Sequence, residues 1–310
     1  MCCLFGAEHR KTTQNGTQKS RSGLRESDRR RSGWRQRTPH ERARHASHAH
    51  PSTCDVHRPR QSDERLEDNQ HSRLWTSLGA SVPKPQAILA VSAHWYLPGT
   101  RVTAMEHPRT IHDFGGFPEA LSQVQYPAPG SPALAARIAR LLEPVPVRLD
   151  TASWGLDHGT WSILVHMFPD ADVPVVQLSI DSTLATDELV SLGAQLSPLL
   201  EEGVLVLCSG NVVHNLGLID WGASGSGADW ARSFDERAAW LMTHEPRRIG
   251  DLERHEAYRL AAPTPEHLAP LHYLAGIASA RGTTAEVLGG GLEMGSLSMT
   301  SFSVRPGAAR

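Results

Sequence analysis

The stretch Gln86-Ala-Ile-Leu-Ala-Val-Ser-Ala-His-Trp95 decides the fold of this chain. Its first seven residues form a largely apolar run, which is typical of a strand buried on both faces of a sheet. The run leads directly into a histidine, His94. Two more runs of the same kind lie at 173–179 and 203–208. Strands of this type predict a parallel sheet.

Helical patterns alternate with these strands. We predict helices at 72–78, 131–142, 183–200, 228–242 and 265–280, and two late strands at 286–289 and within 296–304. Such alternation predicts an α/β fold: a single domain around a mainly parallel central sheet flanked by helices.

The charge divides the chain into two unlike parts. The net charge is −2 over 310 residues, but residues 1–65 hold 15 of the 31 basic residues and only 7 of the 33 acidic ones. This leader carries +8, and 66–310 carries −10. We predict a disordered basic leader, because it has few apolar residues to bury. Three interpretations stay open: a nucleic-acid-binding arm, a tail without a role, and a wrongly translated stretch.

Composition and missing motifs exclude several classes of protein. No apolar run reaches the roughly 18 residues of a membrane helix. Four cysteines cannot staple a secreted scaffold of this length, and the start lacks the apolar core of a signal peptide. We therefore expect a cytoplasmic protein with no membrane partner. Dinucleotide, phosphate-loop and nucleophile-elbow motifs are absent.

Histidines follow two of the three buried strands. His94 ends the first run, and His214 follows the third. Ligands of open α/β sheets bind at the carboxyl ends of strands, so we expect both at one site. Gly210 would let the chain turn tightly between strand and histidine. His267 is predicted in the first turn of the helix 265–280.

Two further segments offer polar side chains to such a site. His158 lies in a strand-to-helix turn, where Asp157 is either a site residue or a helix cap. His112 and Asp113 precede paired glycines and suggest a loop over a pocket. The other histidines singled out are expected to be solvated or structural: His71, His107, His166, His244, His255 and His272.

The chemistry of these side chains is imidazole plus carboxylate. Neutral imidazole suits zinc, iron, copper or nickel. An imidazole-rich site with open positions supports either a metal-bound hydroxide or Fe(II) that takes an organic ligand and O₂. Both possibilities stay open on the residues alone.

Eight ordered segments between Leu66 and Val304 carry a family resemblance. They are Pro85-Gln-Ala-Ile88 with Val91-Ser-Ala-His-Trp95, Ile111-His-Asp-Phe-Gly-Gly-Phe-Pro118, Tyr126-Pro-Ala-Pro-Gly-Ser-Pro132, Trp154-Gly-Leu-Asp-His-Gly159, Gln177-Leu-Ser-Ile-Asp181, Ser209-Gly-Asn-Val-Val-His-Asn215, Pro263-Thr-Pro-Glu-His267 and Gly291-Leu-Glu-Met-Gly-Ser-Leu-Ser-Met299. The chain resembles the DOPA 4,5-dioxygenase type of class III extradiol ring-cleavage dioxygenases, relatives of the protocatechuate 4,5-dioxygenase catalytic subunit.

The resemblance implies a site and a reaction. It implies one non-haem metal, Fe(II) for activity with zinc possible in the isolated protein, and a small catechol and O₂ as reactants. His94, His214 and His267 are implied metal-site residues, with the alternative that His214 acts as a base beside the metal. His158 is the implied acid/base. We also expect His112, Asp113 and Asp157 to bind the substrate.

One family motif is missing in front of Leu66. The family has a strand followed by Gly-His-Gly-Ser-Pro-Met-Asn, whose histidine binds the metal, but this chain has His57-Arg-Pro-Arg-Gln-Ser-Asp-Glu-Arg65. Allowed codons for these nine residues, read one base later, spell Ile-Gly-His-Gly-Ser-Pro-Met-Asn. We therefore interpret 1–65 as largely out-of-frame translation, with the true start near position 48 and a single-base loss near position 65.

This hypothesis leaves 66–310 as a catalytic domain that lacks its first strand and one metal ligand. A poorly soluble or weakly active product is expected. Two alternatives to the dioxygenase are a zinc-dependent hydrolase that uses the same imidazoles and an inactive chain that keeps only the fold. A nucleic-acid partner is not expected, and no oligomeric state is predicted.

Overall fold

The apolar run at 86–92 lies in the middle of an eight-stranded sheet. The computed structural model describes residues 3–6, 68–115 and 119–304. The strands are β1 Cys3–Gly6, β2 Ala87–Leu97, β3 Thr100–Thr103, β4 Val147–Asp150, β5 Val175–Asp181, β6 Val204–Ser209, β7 Glu286–Gly289, β8 Leu292–Glu293, β9 Leu297–Ser298 and β10 Ser301–Val304.

Helices alternate with these strands along the chain. They are α1 Gln70–Ser81, α2 Glu119–Ser122, α3 Pro132–Leu141, α4 His158–Met167, α5 Thr186–Leu196, α6 Asp229–His244, α7 Tyr258–Ala261 and α8 Ala269–Ala280. Short 3₁₀ turns lie at Ser197–Leu200, Leu216–Leu218 and Pro246–Arg254. No helix in the described ranges combines the length and the apolar character that a membrane span needs.

The main sheet runs in the order β4-β3-β5-β2-β6-β1-β10-β7. Its four central strands, β5, β2, β6 and β1, are mutually parallel. β3 is antiparallel to β5, and β10 is antiparallel to β1. β8 and β9 form a separate two-stranded sheet. The predicted α/β domain with a mainly parallel central sheet is confirmed.

Two apolar layers bury the two faces of β2. Leu89 and Val91 pack into the larger layer with residues of α3, α5, α6 and α8. Ile88 and Ala90 pack into the smaller layer with Trp75 of α1 and residues of α4. Successive residues of a strand point to opposite faces, so a run that is buried on both sides must be apolar throughout.

β1 comes from the segment that the sequence analysis treated as a leader. Cys3–Gly6 lie between β6 and β10, with Leu4 opposite Leu207 on one side and Ser303 on the other. The sequence analysis placed no strand before Leu66, because four residues in a basic segment carry no strand signal. Residues 7–65 lie outside the described part, so the rest of the leader prediction is not addressed.

Two boundaries differ from the prediction for physical reasons. β2 continues to Leu97, and its register against β5 shifts between Val91 and Tyr96. His94 therefore lies within an irregular part of the strand, the kind of bulge that redirects side chains. α8 begins at Ala269 and not at 265. A helix from 265 would hold Pro270 in its interior, where the missing N–H breaks a turn.

Candidate active site

Four histidines from four separate segments meet at the carboxyl edge of the sheet. They are His94 in β2, His158 at the start of α4, His214 after β6 and His267 before α8. The ring centroids of His94 and His158 lie 4.0 Å apart, and those of His94 and His267 lie 5.4 Å apart. His214 and His267 have centroids 3.5 Å apart. Ring contacts through His267 therefore link His94 to His214, the two histidines expected to share a site.

Asp113 joins two of these rings. Its Oδ2 lies 2.6 Å from His94 Nδ1, and its Oδ1 lies 2.7 Å from His158 Nδ1. The backbone N–H of His158 also donates to Oδ1, at 3.0 Å. The three side chains present ligand atoms within 4.8 Å of one another, a spacing that could hold a metal ion.

The environment of Asp113 keeps its carboxylate charged. Burial raises the pKa of Asp113, but the hydrogen bonds from His158 and His94 and their charges outweigh it. The net pKa therefore lies well below the ordinary value. An ionised carboxylate only accepts hydrogen bonds, so each imidazole donates its Nδ1 proton to it. In its neutral form each ring then carries its lone pair on Nε2.

Asn211 holds the third ring. Its Oδ1 lies 3.1 Å from His267 Nδ1, and its Nδ2 donates to the carbonyl of Ser298 at 2.8 Å. The second contact fixes which end of the amide faces the imidazole, so His267 also donates from Nδ1. His267 thus presents Nε2, as His94 and His158 do. The sequence analysis did not single out Asn211, although it lies three residues before His214.

His214 and His267 cannot both coordinate one ion in the arrangement observed. Their rings are stacked with an interplanar angle of 7° and a centroid distance of 3.5 Å. An imidazole nitrogen directs its lone pair in the plane of the ring. An ion in the plane of one ring would therefore lie out of the plane of the other. The geometry favours the alternative in which one of the two acts beside the metal.

Gly210 allows His267 to approach β6. A Cβ at Gly210 would lie 2.3 Å from the carbonyl oxygen of His267. That carbonyl accepts the N–H of Asn211 at 2.9 Å, so the two backbones are in direct contact. The glycine thus serves close approach and not the tight turn suggested by the sequence. His267 lies in the turn that precedes α8, outside the helix in which it was predicted.

Asp157 and His112 make contacts within the protein. Asp157 is fully buried, caps α4 by accepting the N–H of Thr160, and accepts a hydrogen bond from Gln177. The helix-cap alternative is therefore what the structure shows for Asp157. His112 Nε2 donates to the carbonyl of Val124 at 2.8 Å. The predicted contacts of Asp157 and His112 with a substrate stay predictions.

An aromatic wall borders His158. The ring of Phe114, the residue after Asp113, meets His158 edge-on at 5.2 Å, and Trp161 lies 6.2 Å from Phe114. The sequence analysis singled out neither ring for the site. Their spacing in the sequence could have identified them. Phe114 follows Asp113, and Trp161 lies three residues after His158, about one turn along α4.

Comparisons with known proteins indicate one family. Residues 44–301 match the family described as the catalytic LigB subunit of aromatic ring-opening dioxygenase. The 4,5-DOPA dioxygenase extradiol of Escherichia coli K12 is 49% identical over 243 residues, covering 77% of this chain and 89% of the relative. The enzyme of that name from Beta vulgaris is 40% identical over 230 residues, covering 70% of this chain and 84% of the relative.

A solved structure has the same fold. The crystal structure of an uncharacterized protein from E. coli K12 superposes with a TM-score of 0.68 at 44% identity, over 77% of this chain and 94% of that one. The family match, the relatives and the cluster of histidines with a carboxylate lead to one assignment. The chain belongs to the LigB family of class III extradiol dioxygenases, enzymes that use a metal to open aromatic rings.

Proposed function

We propose that this chain cleaves the ring of a DOPA-like catechol with O₂, using Fe(II), in the cytoplasm. The observation that carries the proposal is the convergence of His94, His158 and His267, each with Nδ1 engaged by a side-chain oxygen. Relatives named 4,5-DOPA dioxygenase extradiol support the substrate class. Zinc is proposed as an alternative occupant in the isolated protein.

The donor set fits a first-row metal ion. A histidine that donates Nδ1–H to an oxygen presents a basic Nε2, the usual arrangement at metal sites. We propose His94 and His267 as ligands through Nε2. Their partners differ in charge, Asp113 being anionic and Asn211 neutral. Bound Fe(II) supplies Lewis acidity toward the catechol oxygens and the one-electron chemistry that O₂ requires.

His158 and His214 are proposed to move protons. Neutral His158 can accept a proton from a catechol hydroxyl at Nε2, because Asp113 behind it stabilises the imidazolium that forms. His214, stacked on His267, is proposed as the second base at the site. Phe114 beside His158 shields this proton transfer from water.

The frame hypothesis remains part of the proposal. We propose that residues 1–65 are largely out-of-frame and that the motif encoded one base later supplies the third metal ligand. The sheet has one strand position between β6 and β10, next to the site. In the present chain Cys3–Gly6 fill that position. The nucleotide sequence decides: if the codons for 57–65, read one base later, do not spell the motif, this proposal falls.

Oxygen uptake tests the function. We expect the iron-loaded chain with the restored Gly-His-Gly-Ser-Pro motif to consume O₂ with catechols and to form a product that absorbs visible light. The 310-residue chain should be poorly soluble or much less active, because a missing ligand lowers metal affinity. Equal iron content and turnover in the two chains would contradict the frame proposal. Turnover of esters or amides with zinc, without O₂ uptake, would favour the hydrolase alternative.

A further inference from the structure

We propose that Asp113 is a positioning residue, and that its one carboxylate fixes the rings of His94 and His158 so that both direct Nε2 into the site. This inference rests on the proposed function, because it concerns the same site. It gives Asp113 a role different from the substrate contact expected from the sequence.

The geometry uses both oxygens of the carboxylate. Oδ2 accepts from His94 at 2.6 Å, and Oδ1 accepts from His158 at 2.7 Å. The rings are nearly perpendicular, at 86°, with centroids 4.0 Å apart. Neither ring can rotate about its side-chain bonds without losing a short charge-assisted hydrogen bond. The carboxylate therefore sets the angle between the two imidazoles.

The two residues before Asp113 are themselves anchored by hydrogen bonds. Trp161 Nε1 donates to the carbonyl of Ile111 at 2.8 Å, and the N–H of Ile111 donates to the carbonyl of Leu156 at 2.7 Å. The ring of His112 donates to the carbonyl of Val124. These contacts hold the backbone next to Asp113 against α4 and the segment before it. The carboxylate is thus in place before any ligand binds.

Asp113 is better suited to a place behind the histidines than to contact with the metal. Each of its oxygens already accepts an imidazole proton, and Oδ1 accepts a backbone N–H as well. A cation on the same oxygens would compete with the protons that hold the rings. Carboxylates that accept Nδ1–H from metal-binding histidines are a recurrent arrangement. Here one carboxylate serves two rings.

The tautomers of the two histidines test this directly. The 310-residue chain, labelled with ¹⁵N-histidine and free of metal, is examined by long-range ¹H–¹⁵N NMR at neutral pH. The signals are assigned with His94→Gln and His158→Gln. We expect both rings to carry the proton on Nδ1. A proton on Nε2 of either ring would overturn the inference, whatever the activity of the protein.

Substitutions at Asp113 give the second test. Asp113→Asn keeps the shape but leaves a single acceptor oxygen, so at least one ring should lose its fixed tautomer. Asp113→Glu keeps two acceptor oxygens, so both rings should again carry the proton on Nδ1. Asp172→Asn removes an exposed carboxylate that pairs with Lys84 and serves as the matched control.

Zinc affinity, measured by competition with a chromophoric chelator, supplies a further readout. We expect Asp113→Asn to weaken zinc binding about 10- to 100-fold, Asp113→Glu to recover most of it, and Asp172→Asn to leave it unchanged. If Asp113→Asn binds zinc as the unmodified chain does, the inference fails. If a variant does not fold, the tautomers of the unmodified chain still decide.

The outcome is separable from that of the proposed function. Nδ1-protonated rings and a zinc defect in Asp113→Asn, without O₂ uptake on any catechol, would keep the positioning role and remove the dioxygenase proposal. Catechol cleavage with unchanged tautomers in Asp113→Asn would keep the dioxygenase proposal and remove the positioning role.

Discussion

Two pairs of histidines meet at this site, and the protein holds them in different ways. His94 and His158 share one anion, Asp113, which engages both rings. His267 has a neutral partner, Asn211, and His214 stacks on His267. A shared anion fixes two rings in one tautomer and favours positive charge near them. An amide fixes one ring without adding charge, and His214 stacks on that ring.

The largest expected effect comes from exchanging one histidine in each pair for glutamine. In the chain with the restored motif, His94→Gln should lose both zinc affinity and turnover, because it removes a ligand. His214→Gln should bind zinc normally while kcat falls about 10²- to 10⁴-fold, the usual worth of a general base. Zinc competition and O₂ uptake measure the two quantities. An equal loss of zinc affinity in both variants would identify His214 as a metal ligand and contradict its proposed role as a base.

His272 has neither a carboxylate nor an amide partner among the described residues, and it is compared with the two pairs through the pH dependence of stability. Among the described residues, neither ring nitrogen of His272 in α8 has a hydrogen-bond partner, and burial lowers its pKa to about 4. Its unfolded pKa is about 6.5, so the unfolded chain binds the extra proton as the pH falls. His272 therefore does not reduce the free energy of unfolding above about pH 6.5. As the pH falls from about 6.5 to about 4, protonation of the unfolded chain lowers that free energy.

Urea unfolding of His272→Leu beside the unmodified chain measures this effect. The unmodified chain should lose about 3 kcal/mol more of its unfolding free energy than the variant between neutral pH and about pH 4. Effects of the other titrating groups cancel in the difference. Parallel pH profiles for the two proteins would show that His272 is not held neutral by burial.

The smallest expected effect tests how closely the backbone of His267 packs against Gly210 at the end of β6. Gly210→Ala places a Cβ against the His267 carbonyl and should destabilise the fold by about 2 kcal/mol. It should also weaken zinc binding, since His267 must move. Gly115→Ala is the matched control near the first pair, because its Cβ would meet no atom of the described residues within 4 Å. Thermal unfolding of both variants checks this, and equal melting temperatures would contradict it.

The sequence predicted the parts of the fold that depend on local pattern. β2, β5 and β6 were predicted because strands buried on both faces must be apolar throughout. The short strands β1, β3, β4 and β8 were missed, since two to four residues carry no period, and the predicted strand range 296–304 holds two strands, β9 and β10. His94 and His214 were expected at one site because ligands of open α/β sheets bind at the carboxyl ends of strands, and the structure links the two rings through His267.

The contacts between the side chains of the site could not be predicted from the sequence. Asp113 lies 19 residues after His94 and 45 before His158, and nothing local shows that its two oxygens serve both rings. The stacking of His214 on His267 depends on Gly210, whose missing side chain matters only once α8 is packed beside β6. The start of α8 was misplaced because the capping pattern at Thr264 outweighed Pro270, although a proline inside a helix is the stronger constraint.

The strand pairing at the centre of the sheet has a consequence for how this protein folds. Leu4 pairs with Ser303, so the pairing closes a loop of almost the whole chain. Loop entropy grows slowly, by about 0.6 kcal/mol for each doubling of length, so the equilibrium cost is small. The kinetic cost is larger, because contacts so distant in sequence form slowly. Until β1 arrives, β6 and β10 expose unpaired backbone edges, and aggregation during refolding should compete most strongly at that stage.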